Sequence, residues 1–198
     1  VSAPLLTALP ASGFRRTPWK NGGGVSTDIA DCYRPDIAPG AWDGVIWRLG
    51  RTQIVAPGPF SDLTGYERLQ VVIAGRGLVL ATPDSEIDLR EPLRPVRYDG
   101  GTPIVTRLEH GPVEVVNLIA ERALCDIALD VLRSGEPADM RPALHLVYAP
   151  DGDVSGEAGG HAFAIEAGDA LRIETAGPCR LLVSAGVALF ATIIRRDR

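Results

Sequence analysis

The feature that most constrains this chain is its punctuation. Its 22 glycines and 16 prolines are spread evenly and cut the apolar segments into short runs about every ten residues. Glycine loses more backbone freedom on ordering than any other residue, and proline lacks the amide proton that a helix interior needs. No window of a dozen residues keeps a helical apolar period. Short strands joined by turns satisfy the pattern, and predict an all-β sandwich or barrel rather than alternating α and β layers.

The runs at 45–49, 69–74, 78–82, 104–107, 113–120, 124–131, 143–148, 162–166, 170–174, 180–185 and 187–195 read as strands. The clearest is 124–131, where Cys125, Ile127, Leu129 and Val131 share one face while Asp126 and Asp130 lie on the other. That period of two marks a half-buried strand. Gly168-Asp169 suits a tight hairpin connection. Segments 39–43, 133–141 and 151–160 read as loops, and 133–141, with Ser134-Gly135-Glu136-Pro137, is the best boundary between halves. The expectation is one compact unit over 1–198 with an N-terminal barrel at 1–132 and a C-terminal barrel at 142–198. Exchange of an N-terminal strand between the barrels is compatible with this pattern. Closure removes exposed strand edges, and small barrels often keep a mouth that holds one ligand.

Composition narrows the partners. Hydrophobic residues make up 45% of the chain and charged residues 23%, which is ordinary for a globular protein, with core enough to fold without a disulfide or metal. A net charge of −5 and the lack of a basic patch with interleaved aromatics argue against nucleic acid. No stretch approaches the ~20 apolar residues of a membrane span, and the N-terminus lacks the layout of a signal peptide. Cys32, Cys125 and Cys179 form no Cys-x-x-Cys pair; they fit a reducing compartment and read as small buried hydrophobes. The protein is therefore expected in the cytoplasm, without membrane attachment. His110, His145 and His161 lack the His-x-His or His-x-x-x-His spacing of a metal site. No nucleophile elbow, phosphate loop or dinucleotide-binding glycine pattern is present.

Four stretches carry chemistry. In Trp19-Lys20-Asn21-Gly22-Gly23-Gly24-Val25-Ser26-Thr27-Asp28, three glycines form either a flexible turn entering a strand or an anion-binding nest of amides. In Ile46-Trp47-Arg48-Leu49, Arg48 falls opposite Trp47. It lines a barrel interior, where it needs a carboxylate, or it faces outward or pairs with an internal acid. Gly58-Pro59-Phe60-Ser61 precedes Gly65-Tyr66-Glu67-Arg68, so that Phe60 could cover a pocket and Arg48 with Arg68 could fork one carboxylate. Asn117 is the one polar residue in Val115-Val116-Asn117-Leu118-Ile119 and, if buried, must hydrogen-bond to backbone or ligand.

In this order and at these intervals, the four stretches resemble the HutD/Ves family of bicupin proteins, with recognisable motifs over 14–122 and general pattern to the C-terminus. The chain departs from the family pattern at Ser26 and Asp28, which stand for Thr and Glu, and at Gly50, which stands for Ser. It departs again at Val115, Val116 and Ile119, which stand for Asp, Phe and Met around the retained Asn117. The resemblance implies two metal-free cupin barrels in one chain, no cofactor, and an accessory or regulatory role in histidine utilisation.

The leading expectation is thus a protein that binds a small carboxylate: urocanate, N-formylglutamate, formiminoglutamate or formate. Arg48 and Arg68 would clamp the carboxylate. Asn21, Ser26, Ser61 and Asn117 would hydrogen-bond, and Trp19 and Phe60 would form the apolar wall. Two alternatives stand beside it. One is a metal-free isomerase or hydrolase using Asp28, Glu114 or His110. The other is an interaction module whose arginines pair internally with acids such as Asp28 or Glu67 and leave no cavity. Homodimerisation is left open.

Overall fold

The computed structural model describes residues 3–40 and 42–196. Among them the chain forms eighteen strands and one three-residue 3-10 turn, Ala11–Gly13, and no helix is long and apolar enough to cross a membrane. The chain divides into two compact units. One runs from Phe14 to Cys125 and takes in Arg196; the other runs from Asp126 to Arg195 and takes in the N-terminal segment up to Gly13.

In the second unit, β1 (Leu5–Leu9) pairs antiparallel with β16 (Ala170–Thr175). It forms the edge of a five-stranded sheet that continues through β13 (Ala143–Tyr148), β18 (Val187–Arg195) and β11 (Cys125–Arg133). A four-stranded sheet follows the order β12 (Pro137–Met140), β17 (Cys179–Ala185), β14 (Val154–Ala158) and β15 (His161–Ile165). Met140, Val147, Phe163, Ile173, Leu181 and Phe190 are buried together as its core.

Two segments expected to be loops are strands. Residues 137–140 form β12, at the sheet edge, where a proline costs no ladder hydrogen bond. Residues 154–158 form β14, which lies between β17 and β15. Its small and polar residues masked it, although Val154, Gly156 and Ala158 alternate as its buried positions. Gly156 is required there because a Cβ would come 2.2 Å from the Leu182 carbonyl oxygen. The break between units falls at Cys125/Asp126, upstream of the glycine- and proline-bearing segment 133–141, because β11 continues to Arg133 as part of its sheet.

The Phe14–Cys125 unit positions the site. Its larger sheet has the order β2 (Arg15–Pro18), β3 (Val25–Tyr33), β4 (Val45–Ile54), β10 (Val113–Glu121), β5 (Tyr66–Ala74) and β8 (Val96–Asp99). A three-stranded sheet follows the order β7 (Glu86–Leu89), β6 (Leu78–Ala81) and β9 (Val105–Leu108). Strands β4, β10 and β5 are buried on both faces along most of their length, which is why they read as continuous apolar runs interrupted by single polar residues.

Candidate functional site

The register of this sheet places the interrupting polar residues side by side. One row crosses Asp31, Arg48, Ile119, Arg68 and Tyr98; a second crosses Asp28, Gly50, Asn117 and Gln70; a third crosses Ser26, Thr52 and Val115. Alternate residues of a strand share a face. Arg48, Gly50, Thr52 and Ile54 therefore join Arg68, Gln70, Val115, Asn117 and Ile119 around one cavity of about 50 Å³. A register shift between Asp28 and Ala30 leaves Ile29 as the extra residue of a bulge, and such bulges re-aim neighbouring side chains.

Both arginines are buried, at 3% exposure for Arg48 and 7% for Arg68. Arg48 Nε stands 3.2 Å from Asp28 Oδ1, a charge pair without hydrogen-bond alignment, because Oδ1 accepts no hydrogen bond. Asp28 Oδ2 accepts from the Thr17 hydroxyl at 2.5 Å and from Arg15 at 3.2 Å. Arg15 also pairs with Asp31, whose carboxyl is held above its ordinary range by burial, an effect that Arg15 opposes. The Arg48 guanidinium lies 4.1 Å from the Trp42 ring centre. Arg68 donates through Nη2 to Asn117 Oδ1 at 3.1 Å and stacks on Phe60 and Tyr98 at 4.7 and 5.2 Å. Gln70 is fully buried, and its Oε1 accepts from the Tyr98 hydroxyl. Burial pushes the Tyr98 phenol up to about 12, so it stays protonated and remains a donor.

Four buried donors have no hydrogen-bond partner: Arg48 Nη1, Arg68 Nε and Gln70 Nε2, on residues that line the cavity, and Arg15 Nε, on one that does not. An unsatisfied buried donor costs about 1–3 kcal/mol, and more when charged. The same cluster holds three guanidiniums, Arg15, Arg48 and Arg68, against two carboxylates, Asp28 and Asp31. It is one negative charge short of balance, and a cavity of this size has room for a few water molecules or one small anion.

The glycine-rich motif forms a hydrogen-bonded turn: Trp19 N donates to Gly24 O, and Gly22 N donates to Trp19 O. A Cβ at Gly24 would meet the Trp19 ring at 2.8 Å, so the glycine lets that ring lie flat against the backbone. Trp19 Nε1 then donates to Ser26 Oγ and Thr52 Oγ1 at the cavity wall. Of the residues assigned from sequence, Trp19, Ser26, Arg48, Phe60, Ser61, Arg68 and Asn117 all line the cavity. Asn21 lies off the lining and is exposed. It straps the turn to the next loop, donating from Nδ2 to Pro59 O and from its amide to Ser61 Oγ.

Known proteins bear on this geometry. The HutD family profile matches residues 11–191. The chain belongs to the HutD family. It is 32% identical over 114 residues to an uncharacterised 21.2 kDa Pseudomonas putida protein in the hutC 3′ region, a match covering 58% of this chain and 57% of that protein. The structure of HutD from Pseudomonas fluorescens SBW25, in a formate condition, superposes with TM-score 0.77 at 25% identity and covers 98% of this chain and 100% of that one. A conserved protein of unknown function from Pseudomonas aeruginosa PAO1 reaches TM-score 0.81 at 24% identity, with 98% and 100% coverage. More distant solved structures, at 9–10% identity, share the fold alone. This HutD-family chain thus has a cupin-like all-β fold.

Sequence reasoning missed several lining residues: Trp42, Thr52, Gln70 and the apolar Ile54, Leu63, Val115 and Ile119. Gln70 was findable, since it is a lone polar residue in an apolar run two positions after Arg68, the same signal that marked Asn117. Trp42 comes from the 39–43 loop and carries no periodic signal. Of the residues considered for acid–base chemistry, Asp28 is buried beside Arg48 at 3.2 Å, whereas Glu114 pairs with Arg51 at 2.7 Å, His110 is exposed, and no histidine lines the cavity. Arg48 does pair internally with Asp28. Glu67, however, pairs with Arg97 rather than with Arg68.

Proposed function

We propose that this HutD-family chain binds a small carboxylate in the Arg48–Arg68 cavity, as an accessory or regulatory protein of histidine utilisation in the cytoplasm. The observation that carries this reading is the three buried donors without acceptors on cavity-lining residues, in a cluster one negative charge short. A carboxylate brings acceptors only, and two oxygens to reach diverging donors. Family membership supports the link to histidine utilisation, as does the hutC 3′ position of the P. putida relative. On this reading the two compact units are two cupin-type barrels in one chain, and the ligand occupies the barrel at Phe14–Cys125.

The candidates are formate, N-formylglutamate, formiminoglutamate and urocanate. At about 50 Å³ the cavity matches formate best. The longer acids would seat one carboxylate there and direct the remainder past the half-buried rings of Trp19, Trp42 and Phe60. A thermal-shift titration against all four, with unrelated carboxylates as controls, tests the proposal. A ligand at 100 times its dissociation constant adds about 2.7 kcal/mol, which is a readable rise in melting temperature. A flat response across the panel would refute the proposal.

A further inference from the structure

We infer that the cavity selects carboxylates that carry no ammonium group beside the carboxylate, and so rejects α-amino acids. This rests on the carboxylate reading above and concerns what else the ligand bears. An ammonium needs acceptors for its three protons and a negative charge nearby when water is excluded. The cavity has few free acceptors, and the carboxylate beside it is already paired with Arg48.

Asp28, the buried carboxylate nearest to it, does not line the cavity. Its Oδ2 accepts from Thr17 and Arg15, while Oδ1 accepts no hydrogen bond but has its charge offset by Arg48 Nε at 3.2 Å. The two amide oxygens at the site already accept, Asn117 Oδ1 from Arg68 and Gln70 Oε1 from Tyr98. Thr52 Oγ1 accepts from Trp19 and gives its proton to the Val25 carbonyl. Beside them stand the neutral hydroxyls of Ser26 and Ser61, each already accepting one hydrogen bond. Aromatic faces are the other way to hold a buried ammonium, but these rings are occupied. Trp42 stacks with Arg48, Phe60 with Arg68, and the Trp19 ring lies against Gly24.

Charge gives the same answer. A simple carboxylate brings the cluster of Arg15, Arg48, Arg68, Asp28 and Asp31 to neutrality. A zwitterion restores the excess positive charge and places it in the cavity, next to two guanidiniums.

Propionate and glycine separate charge from size, because they have the same number of heavy atoms and exchange a methyl for an ammonium. Dissociation constants for formate, acetate, propionate and glycine would be measured by calorimetry on the intact protein. Propionate is expected to bind, with glycine about 100-fold weaker. A propionate-to-glycine affinity ratio of ten or less overturns the inference while leaving the carboxylate reading intact. If acetate binds and propionate fails together with glycine, size sets the selection and the inference also falls. If none of the three simple acids binds, the inference falls, and the carboxylate reading is decided by the longer acids of the thermal-shift panel. Gln70→Glu supplies the missing acceptor and charge. It is expected to weaken propionate and strengthen glycine, bringing the ratio towards one, and an unchanged ratio would count against the argument.

Discussion

Replacing Asp28 with asparagine isolates the charge that holds Arg48 in place. The side chains of Asp28 and Arg48 are 1% and 4% exposed, with 3.2 Å between Oδ1 and Nε, so the pair is desolvated and solvent screening gives little relief. Asparagine keeps the shape and can still accept from Thr17, which contacts Asp28 at 2.5 Å. The loss is therefore electrostatic. Arg15 contributes little to it, because its side chain is 38% exposed and it keeps Asp31. Breaking one partner out of a buried ion pair costs about 3–5 kcal/mol, and the retained Thr17 contact places Asp28→Asn near 3 kcal/mol. With a urea slope of about 2 kcal/mol/M for a domain of this size, the unfolding midpoint, read by tryptophan fluorescence, should fall by about 1.5 M. The variant leaves three guanidiniums facing one carboxylate, so formate should restore part of the loss. A cost under about 1 kcal/mol would refute the view that Asp28 is the counterion of Arg48.

Two further outcomes are expected. Arg68→Met should leave the ligand-free protein within about 1 kcal/mol of its original stability while abolishing the carboxylate-induced thermal shift. Removing an uncompensated buried charge offsets the lost Asn117 bond and the ring contacts to Phe60 and Tyr98; a loss of 3 kcal/mol or more would mark Arg68 as structural. His145 is buried, contacts Thr192 Oγ1 and the Arg141 carbonyl, and stacks on Phe190. Burial holds its imidazole below the ordinary 6.5, with the Arg141 contact opposing. The unfolded chain then takes up the proton first. Stability from this group is complete above about pH 6.5 and declines as pH falls from there through the lower folded value. Denaturation midpoints between pH 7.5 and 5 should show that decline, and His145→Gln should flatten it.

How much of this was legible beforehand depends on the kind of information each feature needs. The all-β character is local: glycine and proline spacing excludes helices, and the two-residue alternation at Cys125, Ile127 and Leu129 survives as burial on one face of β11. Arg48, Arg68 and Asn117 announced themselves for the same reason, since a polar residue inside an apolar run has to find a partner. Residues 137–140 and 154–158 escaped notice because their strands are short, and the small and polar residues in them suit sheet edges and close contacts more than bulk burial.

What the chain alone determined is that it folds as strands and carries a few polar groups destined for the interior. Their meeting was decided by tertiary register. Val115–Ile119 on β10 lies between Arg48–Thr52 on β4 and Arg68–Val72 on β5, pairings that span tens of residues and are invisible to any local pattern. Only that register shows that Gln70 joins the arginines, that Trp42 reaches them from a loop, and that Asp28 neutralises Arg48 but leaves Arg68 without an acid. A strand's hydrogen bonds are the same for any partner. The choice among partners is made by how the whole set of side chains packs, and the site's charge balance follows from that choice.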